Sequence, residues 1–461
     1  MRDRASEAAI TIQGTVVIST VVAYRLLELE PDLGVESTLA PSIRRETQLA
    51  QASRTVLRNE ISKGVSQMPT NLTRRQALVL PAGIAVGSLV GRPAFAAEPV
   101  KIGLVAALSG QSAKSGEGIT RGLTIAIDEI NAKGGVLGGR MLELVRRDDE
   151  SNPAKGQTAA RELIDKEGVS ILFGGIDSPV SLAIVPLVNA AQIPFMGVWA
   201  AATNITRNGA NPNFVFRVSA VDVLVDRALI KYAMTTFSAK KPGLMLVNNG
   251  WGESNFAGLT AAAEAAGIKL AGTEKFDDKD ADMTPQLQRL REAGADTIIL
   301  VGNAAPGAQV VKALQRSAWT VPVVSHWGIS GGRFPELAGS WAGKVHFVQT
   351  YSFFGTQNDV GKRVLAALMK KYPDIKGPGD VTPPVGVANA YDAMQLTALA
   401  LAKAGSTEGP KLREGFLGIE SYQGLIKNYT KPFTDANHDA LNENDYVMVR
   451  YNGDQIEPVT G

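Results

Sequence analysis

The fold is decided by the stretch from residue 169 to residue 200, which reads VSILFGGIDSPVSLAIVPLVNAAQIPFMGVWA. Two apolar runs, Val169–Ile176 and Ile193–Trp199, have the length and the Val, Ile and Phe content of buried strands. Between them, a turn that contains Gly, Asp, Ser and Pro leads into a helix. The stretch therefore predicts a βαβ unit, in which two parallel strands are buried on both faces.

The same alternation of strand and helix continues along the chain from residue 100. The apolar runs predicted as strands are Val100–Leu108, Met141–Asp148, Val169–Ile176, Ile193–Trp199, Phe214–Ser219, Gly243–Asn248, Lys269–Phe276, Thr297–Gly302, Val321–Ser325 and Lys344–Tyr351. The helices predicted between them include Gly118–Ala132, Ala154–Glu167, Val221–Phe237, Ser254–Ala266 and Ala308–Arg316. Since this is too many strands for one comfortable sheet, we predict an α/β protein with two doubly wound, Rossmann-like lobes.

Composition excludes several classes of protein. The 461 residues include 47 Lys and Arg against 45 Asp and Glu, and the formal net charge of +2 argues against a nucleic-acid-binding protein. The absence of Cys excludes disulfides, thiolate catalysis, Cys-ligated metals and a lipid-modified Cys. The sequence contains no Gly-x-Ser-x-Gly, P-loop or His-Glu-x-x-His motif. We therefore expect no catalytic residue, metal or cofactor.

Residues 68–96 have the organisation of an export signal. The basic pair Arg74 and Arg75 precedes the apolar run Ala77–Val90, and small residues follow it. The pair resembles a twin-arginine signal, with an ordinary secretory signal as the alternative. We expect residues 1–67 to be a non-native extension without a domain, and the mature protein to be periplasmic, soluble and without a lipid anchor.

Polar residues follow two adjacent predicted strands. Ser178 comes after the third strand and Thr203 after the fourth. Ligands of doubly wound sheets bind beyond the carboxyl ends of the strands. Two hydroxyl groups there can hold one carboxylate, since each charge-assisted hydrogen bond contributes about 1.5–3 kcal/mol. The alternative is that Ser178 only caps its helix.

Four segments together resemble the leucine/isoleucine/valine-binding class of periplasmic solute receptors, which serve ABC importers. They are Ile130–Gly135, Asp148-Asp149, Ala200–Thr203 and Tyr391–Ala393. The resemblance extends from about residue 98 to residue 461. It implies a type I periplasmic binding protein fold, in which two lobes joined by three hinge crossovers close on a ligand.

The resemblance also implies how the chain is divided between the lobes. The first lobe is expected to contain residues 97–220 and 351–430. The second lobe is expected to contain residues 221–350 and 431–461.

Site residues follow from the same resemblance. It implies that Ser178 and Thr203 hold a ligand carboxylate and that the carbonyl of Ala201 accepts from an α-ammonium. The position of an aromatic lid on the second lobe falls on Trp251.

The sequence departs from the family at three site positions. Trp327, beside His326, stands where the amino-acid receptors have the carboxylate that neutralises the ammonium. Asn303 replaces a usual Tyr, and Ser115 replaces an aromatic residue in the first lobe. An ammonium without a buried anion costs several kcal/mol, so a plain branched-chain amino acid is less expected.

The ligand therefore has several candidates. Trp199, Trp251 and Trp327 fall at strand ends that are predicted to face the cleft between the lobes, and flat aromatic walls favour an aromatic acid. An amino acid with another counter-ion, or an amide or urea-like solute, stays open. In a further alternative, Trp199 and Trp327 only fill the space between the lobes.

The function that these expectations favour is solute capture. We predict that the chain binds a small carboxylate ligand between closing lobes and, as a monomer, delivers it to the permease of an ABC importer. A ligand-binding sensory protein without a transport role is the alternative. A transcription regulator would need a helix-turn-helix domain where this sequence has the export signal.

Overall fold

The computed structural model describes residues 98–459. The predicted export signal and the predicted extension before it lie outside the described residues, as do residues 97, 460 and 461.

Strands and helices alternate over most of this length. The strands are β1 Val100–Ala106, β2 Leu142–Asp148, β3 Ile171–Gly174, β4 Phe195–Gly197, β5 Val215–Arg217, β6 Pro242–Val247, β7 Gly272–Phe276, β8 Thr297–Val301, β9 Val323–Ser325, β10 Val345–Gln349, β11 Ser421–Gln423, β12 Asn428–Thr430, β13 Val447–Asn452 and β14 Gln455–Pro458. The α-helices are α1 Ala113–Ala132, α2 Pro153–Asp165, α3 Ser178–Ala191, α4 Asp222–Phe237, α5 Gly250–Ala265, α6 Thr284–Glu292, α7 Ala304–Arg316, α8 Phe334–Ala338, α9 Asp359–Lys371, α10 Pro384–Ala404 and α11 Gly409–Leu417.

Two large sheets form the centres of two lobes. The first sheet has the order β2-β1-β3-β4-β5, and each pair of neighbouring strands is parallel. The second has the order β14-β13-β10-β9-β8-β6-β7, which is parallel from β10 to β7 and antiparallel at β13 and β14. Helices cover the sheets, so that the central strands are buried on both faces. The predicted α/β fold with two doubly wound lobes is confirmed.

The strands after residue 420 were not predicted. β13 and β14 form the edge of the second sheet, and their exposed and half-buried residues interrupt the apolar run that marks the central strands. β11 and β12 form a separate short hairpin.

Three of the five predicted helix starts, at Gly118, Ser254 and Ala308, are late by four or five residues. α1 begins at Ala113 rather than Gly118. The prediction missed its first turn because that turn contains Gly116, which packing requires and helix propensity does not favour. A Cβ on Gly116 would lie 2.1 Å from the carbonyl oxygen of Ala107, so that only glycine permits this close approach of α1 to the end of β1.

The chain crosses between the lobes in three places. The first crossover leads from β5 to α4, and the second leads from β10 to α9. The third comes later than the predicted boundary at residue 431. Asp439 still lies beside β5 of the first lobe, where Ala440 N donates to Arg217 O at 2.9 Å, so the chain crosses between residue 441 and β13.

None of the helices in residues 98–459 is both long enough and apolar enough to span a lipid bilayer.

Candidate functional site

Ser178 connects two strand ends of the first lobe. It is the first residue of α3, after the N-cap residue Asp177, and its side chain is buried. Ser178 Oγ accepts a hydrogen bond from the backbone N–H of Ala202 at 3.2 Å. The structure therefore does not show Ser178 as a helix cap; the side chain fixes the loop after β4 to the start of α3.

Thr203 lies at the boundary with the second lobe. Its N–H donates to Ser254 Oγ of α5 at 3.1 Å, and its Oγ1 accepts from the N–H of Val223 of α4 at 3.2 Å. Within residues 98–459, neither Ser178 nor Thr203 donates its hydroxyl hydrogen. Both hydroxyl groups can therefore donate to an oxygen of a ligand.

Ala201 contacts the start of the second lobe through its backbone. Its carbonyl oxygen accepts from the N–H of Asp222 at 2.8 Å. The predicted contact with an ammonium would use the remaining acceptor capacity of this carbonyl.

A buried arginine, which the sequence analysis did not identify, supports this loop. Arg217 Nη1 donates to the carbonyl oxygen of Ala202 at 2.9 Å, and Nη2 donates to Thr206 Oγ1 at 2.8 Å. Arg217 Nε donates to Asp439 Oδ1 at 2.8 Å. The planar guanidinium can serve all three partners at once, and it thereby fixes the loop that carries Ala201 and Thr203.

The two central tryptophans pack against each other across the gap. The ring centroids of Trp199 and Trp327 are 5.7 Å apart with 43° between the planes. Trp199 is 3% exposed and Trp327 is 1% exposed. This arrangement agrees with the alternative in which the two rings fill the space between the lobes. Ser115 lies beside them and donates to the carbonyl oxygen of Gly331 at 3.1 Å.

Asn303 forms a further link between the lobes. Its Nδ2 donates to Asp177 Oδ1 at 2.9 Å. Together with the bonds of Ser115 and Thr203, side-chain hydrogen bonds thus cross the gap in three places. The lobes are in contact in this structure.

Trp251 and His326 converge on a carboxylate, that of Asp222. Trp251 Nε1 and His326 Nε2 each lie 3.1 Å from Asp222 Oδ1. His326 Nδ1 accepts from the N–H of Trp327 at 2.8 Å, which assigns the ring proton to Nε2. The rings of Trp251 and His326 meet edge to face at 5.0 Å.

Asp222 corrects the expectation that the site lacks a buried anion. Its side chain is 0% exposed, and Oδ2 has no hydrogen-bond partner among the described residues. The rule that ligands bind beyond strand ends, applied to β5, could have identified it. The predicted site residues thus all lie at the interface between the lobes, with Asp222 at its second-lobe side.

This geometry defines a class of protein: a two-lobed α/β receptor whose polar groups converge between the lobes. The sequence model of one family, described as "Periplasmic binding protein", matches residues 99–455. The chain belongs to the periplasmic binding protein family, in its type I class that resembles the leucine/isoleucine/valine-binding proteins. Members of this family bind solutes and are not enzymes.

Three similar proteins illustrate the relationship. A Leu/Ile/Val-binding protein of Rhizobium johnstonii is 25% identical over 70% of this chain and 84% of its own length. A type 1 periplasmic binding protein of Bordetella pertussis has a TM-score of 0.72 and 25% identity, over 78% of this chain and 100% of that one. A solute-binding protein of an ABC transporter from R. palustris, in complex with 4-hydroxybenzoate, has a TM-score of 0.67 and 22% identity, over 78% and 95%.

Proposed function

We propose that this chain is the periplasmic receptor of an ABC importer and that it binds one small carboxylate ligand between its lobes. As a monomer, it would then present the ligand to the membrane permease. The family supports solute binding, and the gap between the lobes offers donors and an acceptor at opposite sides.

The first lobe supplies the hydrogen-bond donors that would bind the carboxylate of the ligand. Ser178 and Thr203 have hydroxyl hydrogens that no described residue accepts. Two donors at adjacent strand ends suit the two oxygens of a carboxylate. Arg217 supports the loop through the carbonyl of Ala202, so these donors are fixed before a ligand arrives.

The second lobe supplies the group that would bind a ligand cation, the side chain of Asp222. This group is the observation on which the proposed class of ligand rests. Asp222 has one buried oxygen without a partner, and its N–H bonds to Ala201. An α-ammonium there would bond both the carboxylate and the carbonyl of Ala201. We therefore favour an α-amino acid over an acid that lacks an ammonium. The Rhizobium relative, named as a Leu/Ile/Val-binding protein, agrees with this choice.

The remaining predicted residues have supporting roles in this proposal. Trp251 and His326 orient Asp222, while Asn303 and Ser115 hold the lobes together. Trp199 and Trp327, which are in contact in the structure, must separate to admit a ligand side chain.

An aromatic acid is the second candidate. The paired tryptophans and the R. palustris protein in complex with 4-hydroxybenzoate favour it. Against it stands Asp222, since an acid without an ammonium leaves the buried carboxylate without a counter-charge.

A thermal-shift screen tests the proposal. The purified protein is heated with L-amino acids, benzoates, or short amides and ureas. We expect an L-amino acid to raise the melting temperature, since a ligand at 100 times its Kd adds about 2.7 kcal/mol.

The variant Asp222→Asn should lose this shift, whereas Asp359→Asn, which changes a carboxylate that is 97% exposed, should keep it. A shift with 4-hydroxybenzoate alone would favour the aromatic acid, and a shift with amides alone would contradict the carboxylate assignment.

A further inference from the structure

A second buried carboxyl group lies behind Asp222. Asp226 follows it by one helical turn on α4, and both side chains are 0% exposed. Neither oxygen of Asp226 has a hydrogen-bond partner among the residues that the structure describes. No step of the proposed ligand binding uses this group.

Packing places Asp226 at the interface of α4 and α5. A Cβ on Gly258 of α5 would lie 1.9 Å from Asp226 Oδ2, so the carboxyl group lies directly against the backbone of that helix. Residues four apart on a helix share one face, and Asp226 therefore lies on the same side of α4 as Asp222. The free oxygen of Asp222 and both oxygens of Asp226 are buried on this face.

No cation of the described chain neutralises the pair. From α5, Glu253 is exposed and paired with Lys275, and Glu264 is exposed. From the end of β9, His326 is uncharged because its Nδ1 accepts a hydrogen bond. In residues 439–446, Glu443 is paired with Arg227, Asp445 with Lys427 and Asp439 with Arg217, and the remaining titratable group is the Tyr446 hydroxyl.

Two negative charges cannot both persist in such surroundings. Burial, and then the charge of Asp222, raise the pKa of Asp226 well above its ordinary value. Asp222 accepts two N–H bonds, which suit a carboxylate, whereas Asp226 accepts none. The geometry therefore gives the charge to Asp222 and the proton to Asp226.

We propose that Asp226 holds a proton against Asp222, so that the pair presents a single negative charge to the ligand and releases the proton when an ammonium binds. The second clause rests on the proposed function, the first does not. The ammonium charge favours ionisation of Asp226, and the proton passes to the solvent. By linkage, an ammonium ligand must then bind more tightly as the pH rises through the titration of Asp226.

Infrared spectroscopy of the ligand-free protein tests the first clause. A protonated carboxyl group has a C=O stretching band that a carboxylate lacks. At neutral pH the difference between the spectra of the wild type and Asp226→Asn should contain such a band, while the difference between the wild type and Asp277→Asn, at an exposed carboxyl group, should not. A difference spectrum without a carboxylic-acid band would overturn the proposal. Should Asp226→Asn not fold, titration of ¹³C-labelled Asp carboxyl groups in the wild type replaces it: a buried group that is still present in Asp149→Asn must titrate above neutral pH.

Calorimetry with L-leucine as the probe tests the second clause. Over the pH range in which Asp226 titrates, the affinity of the wild type should rise, by at most about tenfold per pH unit, and Asp226→Asn should show no rise. Equal slopes in the two proteins would overturn the coupling. A wild type that does not bind L-leucine would count against both the coupling and the amino-acid assignment, and the infrared band would still decide where the proton lies.

Discussion

Ser178 and Thr203 are the residues proposed to bind the carboxylate of the ligand. Removal of both hydroxyl groups tests this assignment. The double variant Ser178→Ala with Thr203→Ala loses two charge-assisted hydrogen bonds of about 1.5–3 kcal/mol each, and the affinity should fall by roughly 10²–10⁴-fold. Isothermal calorimetry with the ligand found by thermal shift measures it. Thr158→Ala, which removes an exposed hydroxyl group, is the control. Unchanged affinity in the double variant would refute the carboxylate assignment.

Asp148 and Asp149 are adjacent residues with opposite titration behaviour. Burial raises the pKa of Asp149 to about 7, and the charge of Asp177 adds to the effect. Burial alone would raise the pKa of Asp148 too, but hydrogen bonds from Ser109, Glu150 and Leu108 outweigh it and lower that pKa.

Substitution of the two residues should therefore change the pH dependence of stability in opposite ways. Asp149 loses its stabilising contribution as the pH rises from about 4 to about 7, because only its native form keeps the proton. Relative to the wild type, Asp149→Asn should gain up to about 1.4 kcal/mol per pH unit in this range. Asp148→Asn should be less stable at neutral pH, with a difference that shrinks on acidification. Urea unfolding at several pH values measures both, and parallel curves for the wild type and Asp149→Asn would contradict the assignment.

Individual residues were also where sequence reasoning reached its limit. The strand-end rule found Ser178 and Thr203, because their positions follow from the local pattern. Applied to the end of β5, the rule could also have found Asp222, but not its contact with His326, which is 104 positions away. The contact that makes Asp222 part of the site exists only after the second lobe has folded.

The loop after β4 is the element on which the site depends. Arg217 holds this loop by donating to the carbonyl of Ala202 and the hydroxyl of Thr206. Asp439 in turn accepts from Arg217. We predict that Arg217→Lys loosens this loop, because one ammonium nitrogen cannot replace three guanidinium nitrogens that each bond a different partner.

The expected result is faster hydrogen exchange in the segment 198–206 and an affinity lower by about tenfold or more. Arg413→Lys is the control, since Arg413, which is 9% exposed against 0% for Arg217, is also paired with an Asp but does not contact this loop. Equal exchange in the two variants would show that Arg217 has no special role in positioning the loop.

Strands with continuous apolar runs were predicted correctly. Elements that are partly exposed, or that contain a glycine required by packing, were missed or placed wrongly. β1 and β6 are buried along almost their whole length, so their sequences alone indicate them. β13 is half-exposed at a sheet edge, and the start of α1 contains a glycine that is required by packing rather than by helix propensity. Such elements depend on neighbours that the local sequence does not reveal.

At the scale of the whole molecule, the account requires two lobes that open and close. Gly331 of the second lobe faces Ser115 and Trp199 of the first, and a Cβ on it would lie 2.2 Å from Ser115 Oγ. Gly331→Val should therefore hold the lobes apart without disturbing either sheet. Small-angle scattering should show a larger radius of gyration, with little change in melting temperature.

Gly377→Ala is the control for this variant, since its Cβ meets open space. If Gly331→Val has the same radius of gyration as the wild type, the prediction that a side chain at this position holds the lobes apart is wrong.

The central claim is that one ligand binds both lobes at once. Its carboxylate accepts from the hydroxyl groups of Ser178 and Thr203 in the first lobe, and its ammonium bonds Asp222 of the second. Calorimetry with three matched compounds tests it most directly: the L-amino acid with the largest thermal shift, the same compound without its amino group, and the same compound without its carboxyl group. We predict that each truncated compound binds at least about 100-fold more weakly, a loss of about 2.7 kcal/mol. A deaminated acid that binds as tightly as the amino acid would contradict the role of Asp222 and the account that depends on it.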